Sequence, residues 1–195
     1  MSDVLSIVNQ ALVRIGAEPI ASFNDQDAQA LAVSELYTTV SRRMLASHPW
    51  YFALKGALLG RVSLPTGEHK LFNKFEYLYQ LPTDNVRVLG LESYDRFRLA
   101  GQRLYTNDKT PALVYVADVS PSGWAPYFED LVVHELAAAL AIAVTDTTSR
   151  ADLYQAYTRE HMRMARAING QQTPVEIYEL MQIYLRQSYN PLASA

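Results

Sequence analysis

Few residues of this chain are spaced for chemistry. His134-Glu135 matches the start of the zinc-protease pattern H-E-x-x-H, but Ala138 stands where the second histidine is required. One imidazole cannot supply the three protein ligands of a catalytic zinc. The four histidines (His48, His69, His134 and His161) include no i,i+4 pair. His134 therefore reads as a core or interface histidine with a hydrogen-bond partner. There is no cysteine, so thiolate metal sites, a cysteine nucleophile and a disulfide framework are excluded. No G-x-G-x-x-G, P-loop or G-x-S-x-G pattern occurs. Carboxylates such as Asp25, Asp27, Glu129 and Asp130 fall at expected helix starts, where they suit the dipole better than an acid/base pair. No catalytic, cofactor-binding or metal-ligating residue is predicted, and the chain is not expected to be an enzyme.

Two other constellations concern surfaces. Arg159, Arg163 and Arg166 recur at i, i+4 and i+7 on one face of an expected helix. Three readings fit them: a solvated face near a helix C-terminus, a contact with carboxylates of a neighbouring subunit, or a patch for DNA phosphates. The segment from Pro174 to Ala195 carries Val175, Tyr178, Met181 and Leu185 as an apolar stripe, with Tyr184 and Tyr189 nearby, and only three charged residues. A floppy terminus is normally polar. This stripe must be buried, either on the chain's own bundle or between subunits of a partner, where Tyr and Met are typical anchors.

The elements that position these residues follow from punctuation and periodicity. No proline falls between Pro19 and Pro49 or between Pro126 and Pro174, whereas Pro and Gly are dense between those spans. Fourteen of the 21 aromatics lie between Trp50 and Phe128, where strand propensity favours them. The first helix carries Val4, Val8, Leu12 and Ile15, with Ser2 as its cap and Gly16 as its C′ glycine. A second helix, capped by Asn24 or Asp25, carries Ala30, Val33, Tyr37, Val40 and Met44 and stops at His48-Pro49. Phe75, Tyr77 and Tyr79 alternate with Glu76, Leu78 and Gln80 as a strand. Val86 to Leu89 and Ala112 to Val119 are also extended, and Phe97 to Tyr105 reads as a hairpin turning at Gly101. Pro126 opens a third helix, apolar nearly all round from Leu131 to Val144 and so central in a bundle. A fourth starts at the capping-box-like Ser149-Arg150-Ala151-Asp152 and ends at Asn169-Gly170, and a short fifth segment starts at Thr173-Pro174.

The predicted fold class is mainly α: a helical bundle of four main helices plus a C-terminal segment, with an inserted antiparallel β-rich region. Residues 1–52 and 124–170 form the bundle, 53–123 the insertion, and 171–195 a partner-docking tail. At 195 residues the chain can bury a core without staples. Its net charge of −3, split as +2 over residues 55–124 and −5 over the rest, argues against tight DNA binding. No apolar run is long enough to span a membrane, and Met1-Ser2-Asp3 leads straight into a helical pattern without a signal peptide.

Val8-Asn9-Gln10-Ala11-Leu12-Val13-Arg14-Ile15-Gly16, then Pro19-Ile20 and Ser22-Phe23, resembles the opening of tail adaptor proteins of tailed bacteriophages, also called tail tubular protein A or head–tail connector proteins. The likeness continues through Tyr37, Arg42-Arg43, Leu45, the His48-Pro49-Trp50 corner and Phe52-Ala53. Leu81 to Val88, Leu104 to Asn107 and Trp124 to Phe128 are similar to later landmarks of that family. The resemblance spans residues 4–170, and its specificity lies in the order of the pieces. It implies a structural virion protein, assembled in the host bacterial cytoplasm. Such a protein forms a ring, usually of twelve copies, that joins the portal to the tail and extends the DNA channel. It implies no cofactor and no membrane. Its partners would be sister copies, the portal protein and a tail nozzle or tail protein, with DNA passing through unbound. On that reading Val175, Tyr178, Met181, Tyr184, Leu185 and Tyr189 would dock on the portal, and Arg159, Arg163 and Arg166 would line a subunit interface. The alternative is a DNA-binding packaging or regulatory protein that uses the same three arginines.

Overall fold

The computed structural model describes residues 3–23, 28–64, 71–145 and 148–172. These fall into two compact units, residues 3–53 with 119–172 and residues 54–118.

The first unit is built of four helices: α1 (Val4–Ile15), α2 (Ala28–Ser47), α3 (Pro126–Thr145) and α4 (Thr148–Gln172). Asp3 caps α1 in place of Ser2: its carboxylate accepts the Ser6 N–H at 2.7 Å, satisfying an amide that the helix cannot. Gly16 ends α1 at φ +76°, a conformation that costs residues with a Cβ. Helix α3 packs on α1, α2 and α4. Its Leu131, Leu136 and Leu140 are fully buried beside Ile7, Leu12, Ile15, Leu45, Trp50 and Phe128. The His48-Pro49-Trp50 corner enters this core. Trp50 Nε1 donates to the Met44 carbonyl at 2.9 Å, and Phe128 takes Trp50, Phe52 and Trp124 around it at centroid distances of 5.0–5.1 Å. Each buried ring of this kind contributes about 2–3 kcal/mol relative to exposure.

Helix α4 does not stop at Asn169-Gly170. It continues through Gln172, because the Asn169 side chain is engaged elsewhere rather than at a helix end. Asn169 is 1% exposed. Its Oδ1 accepts the Tyr51 N–H at 2.7 Å and the Tyr127 hydroxyl at 3.1 Å. Its Nδ2 lies 3.3 Å from both the Pro49 carbonyl and His48 Nε2. Ser149, expected as the cap of α4, lies inside the helix.

The second unit contains two antiparallel sheets. In one, β6 (Ala112–Ala117) lies between β1 (Leu54–Leu58) and β3 (Asn85–Leu91), with Gly56 opposite Val114 and Val88 opposite Tyr115. In the other, β5 (Arg103–Thr106) lies between β2 (Tyr77–Gln80) and β4 (Phe97–Ala100). The β4–β5 hairpin turns on Gly101-Gln102, with Gly101 at φ +57° as the first central residue of a tight turn. The expected in–out alternation fails in β2. Tyr77, Leu78 and Tyr79 are all buried, so both faces of that strand are covered.

These sheets overturn the expectation of a mainly α bundle with only an inserted β region. Among the described residues four helices stand beside two three-stranded antiparallel sheets, a mixed α/β architecture. The six strands form two sheets with their own buried Leu89, Leu104, Leu113, Tyr115 and Val116, rather than a decoration on the helices.

Candidate functional site

Helix α4 presents the surfaces on which a function can be built. Its buried face is made of small and polar residues: Ala151, Thr158, Ala165 and Asn169. Small side chains let α4 approach α3 closely, so its larger residues are left on the flanks. On one flank stand Arg159, Arg163 and Arg166, all exposed. Arg159 Nε donates to the Gln155 carbonyl at 3.3 Å, and among the described residues none of the three arginines makes an ion pair. On the other flank Leu153, Tyr157, Met164 and Ile168 are exposed. Exposed large apolar side chains in a row mark contact surfaces more often than isolated ones do. Sequence reasoning registered the arginines and missed the apolar row. Its signal was present as i, i+4, i+11 and i+15 spacing on a helix whose remaining residues are largely polar.

Where the apolar flank meets α1 and α3, a polar cluster forms. Arg14 Nη1 lies 2.7 Å from Nε2 and 3.0 Å from Nδ1 of His134. The His161 ring lies 4.3 Å from that of His134, with the Tyr157 and Tyr154 rings at 5.8 and 6.1 Å. Burial, then the Arg14 charge and His161, push the His134 imidazole down to about 4, with Asp130 opposing weakly. The ring is therefore neutral at ordinary pH and offers the guanidinium an acceptor nitrogen. Arg14 Nη2 also reaches Asp130 at 3.8 Å. The Tyr154 hydroxyl donates to the Arg14 carbonyl, and the Arg150 guanidinium donates to the Ile15 carbonyl. Two carbonyls at the open C-terminal end of α1 are thereby satisfied by α4. Glu129, in the first turn of α3, accepts from Gln10 Nε2 at 3.4 Å. His134 thus has the hydrogen-bond partner expected of it, and the cluster positions helices.

In the strand-rich unit, Asp84 joins two neighbours. Lys55 Nζ lies 2.8 Å from its Oδ2, and the Tyr115 hydroxyl donates to Oδ1 at 3.0 Å. The Lys55 hydrogen bond, together with that of Tyr115, holds the Asp84 carboxyl below its ordinary range against the opposing effect of burial. Burial and the bond to Asp84 push the Tyr115 hydroxyl up to about 12. Among the described residues no three His, Asp or Glu side chains gather to hold a metal ion. No helix among them is long and apolar enough to cross a membrane. Val175, Tyr178, Met181, Tyr184, Leu185 and Tyr189, predicted to dock on a partner, lie outside the described residues, as do the predicted helix caps Asn24 and Asp25. No protein-family model matches the chain, and no curated protein matches it.

Proposed function

We propose that this chain is a structural virion protein of a tailed bacteriophage, a head–tail adaptor whose copies form a ring between portal and tail. The observation that carries the reading is the use made of the residues that resemble the adaptor family. They sit at joints. Asn9 clamps the loop after α1, donating to the Ile20 carbonyl at 3.0 Å and accepting the Ile20 N–H at 2.9 Å. Trp50 anchors the corner after α2, Asp84 ties Lys55 to Tyr115, and Trp124 Nε1 donates to the Val119 carbonyl at 2.7 Å. Landmarks spent on holding shape fit a protein that works by presenting surfaces. The exposed flanks of α4 supply such surfaces, and the net charge of −3 suits a channel that lets DNA slide.

In this reading the copies assemble in the bacterial cytoplasm into a ring, of twelve if the resemblance holds, and Val175 to Tyr189 dock on the portal. Mixing the full chain with the portal protein of its phage, followed by sedimentation, tests the proposal. Co-sedimenting rings support it, and a portal that sediments alone refutes it.

That Arg159, Arg163 and Arg166 make no ion pair among the described residues favours a second reading, in which they contact DNA phosphates. Duplex binding with a log–log salt slope near −3, about 0.9 per neutralised phosphate, would support that reading. Absence of binding at low salt would dispose of it.

A further inference from the structure

The corner after α2 and the end of α4 meet in a hydrogen-bond arrangement that admits only one charge state of His48. Asn169 Oδ1 accepts the Tyr51 N–H at 2.7 Å and the Tyr127 hydroxyl at 3.1 Å. Turned over, the amide would set its nitrogen against the Tyr51 N–H and its oxygen against the Pro49 carbonyl, so its orientation is fixed. Its Nδ2 donates one hydrogen to the Pro49 carbonyl and the other to His48 Nε2, each at 3.3 Å. His48 Nε2 must then be bare, with the ring proton on Nδ1. A second proton would turn Nε2 into a donor aimed at a donor. Asn169 is buried, so the hydrogen left unpaired reaches water only if α4 or the corner moves.

We propose that His48 and Asn169 form a proton-sensitive latch: acidification through the imidazole range breaks their bond and releases the end of α4 from the corner. Beside His48 stand the Trp50 ring, edge-on at a centroid distance of 4.9 Å, and Asn169 of α4. Behind Asn169 is the Tyr127 hydroxyl of α3, which burial pushes up and so keeps protonated. Arg43, the last cation of α2, pairs with Glu135 of α3, and Arg166, one turn before Asn169, is the cation closest to it along α4. His48 follows the C-terminal end of α2 and lies against that of α4, and helix C-termini favour a positive charge. The imidazolium is thus tolerated by its surroundings and opposed at one point, the Asn169 amide. Proton uptake therefore opens a local contact and leaves the unit folded. Gln172 Oε1 also lies 3.4 Å from the Tyr127 hydroxyl, so the chain beyond α4 leaves from the latched turn. None of this depends on the adaptor reading.

Imidazole nitrogen spectra of the nitrogen-15-labelled full chain test the closed state. At pH 7.5 His48 should show a protonated Nδ1 and a bare Nε2; a protonated Nε2 overturns the proposal. Deuterium exchange of the Tyr51 amide, followed by NMR, tests the release. His48→Gln supplies an amide oxygen near the place of Nε2 and does not titrate in this range. The Tyr51 rate in the unmodified chain, divided by that in His48→Gln, should rise about fivefold from pH 7.5 to pH 5, the weight of one neutral hydrogen bond. His134 is present in both chains, so its own titration cancels. A flat ratio overturns the latch, and so does an equal rise at the buried Leu136 amide of α3, which would mark loosening of the whole unit. If His48→Gln does not fold, the Tyr51 rate is divided by that of Val116 in the strand-rich unit of the unmodified chain, with the same rise expected and the same flat result overturning it.

Discussion

Replacing Asn169 by alanine should loosen the end of α4 from the corner after α2. Four polar contacts are lost: those to the Tyr51 N–H, the Tyr127 hydroxyl, the Pro49 carbonyl and His48 Nε2. A neutral hydrogen bond is worth about 1 kcal/mol net, and a partner left buried and unpaired costs about 1–3 kcal/mol. Tyr51 is 40% exposed, so water can reach part of what is vacated. Alanine is also the better helix former, by about 0.6 kcal/mol. The balance is a loss of about 2–3 kcal/mol. For a chain of this size that lowers the melting temperature by roughly 4–12 °C. Circular dichroism at 222 nm through a urea titration reads it, with the exposed Gln171→Ala as a control expected to change stability by less than about 0.5 kcal/mol. Asn169→Asp should do no better than alanine at neutral pH, because a carboxylate would face the Pro49 carbonyl. A loss below about 0.5 kcal/mol for Asn169→Ala would show that these contacts do not hold α4, and with it the geometry of both flanks.

Other consequences can be checked alongside. Leu136→Ala, at a fully buried position on α3, should cost about 3–5 kcal/mol in the same titration. Gly16→Ala should cost about 1 kcal/mol or more, since φ is +76° and the added Cβ would meet Arg150 Nη1 at 3.2 Å. His134 makes stability depend on pH. Its folded value of about 4 lies below the unfolded 6.5, so the unfolded chain binds the extra proton between them. Stability from this group is complete above pH 6.5, falls as pH drops from 6.5 towards 4, and levels off below that. The full difference would be about 3 kcal/mol, and solvent screening of the half-buried ring leaves about 1–2 kcal/mol. Denaturation at pH 7 and pH 4.5 should show a correspondingly smaller drop in His134→Gln than in the unmodified chain.

The elements with unambiguous local signals were legible from sequence. The stripe of α1 with its Gly16 stop, the break at His48-Pro49, the opening of α3 at Pro126 and the hairpin at Gly101 each rest on one residue's backbone preference. What depended on tertiary partners was not legible. Leu78 reads as the outward side of an alternating strand, yet cover on both faces of β2 buries it. Asn169-Gly170 reads as a helix stop, yet Asn169 serves the corner after α2 and the helix runs on. The flanking helices suggested one bundle with an insertion, because periodicity cannot tell an insertion from a unit with its own buried sheets. On α4 the usual rule is reversed: alanines, Thr158 and Asn169 are inside while Leu153, Met164 and Ile168 are outside. A search for apolar residues facing a core therefore passes over its contact surface.

Electron microscopy of portal particles incubated with the full chain tests the central proposal most directly. The account predicts a ring of additional density beneath the portal, absent when residues 173–195 are deleted although the shortened chain keeps its helical circular dichroism. Bare portal particles in the presence of excess full-length chain would contradict it.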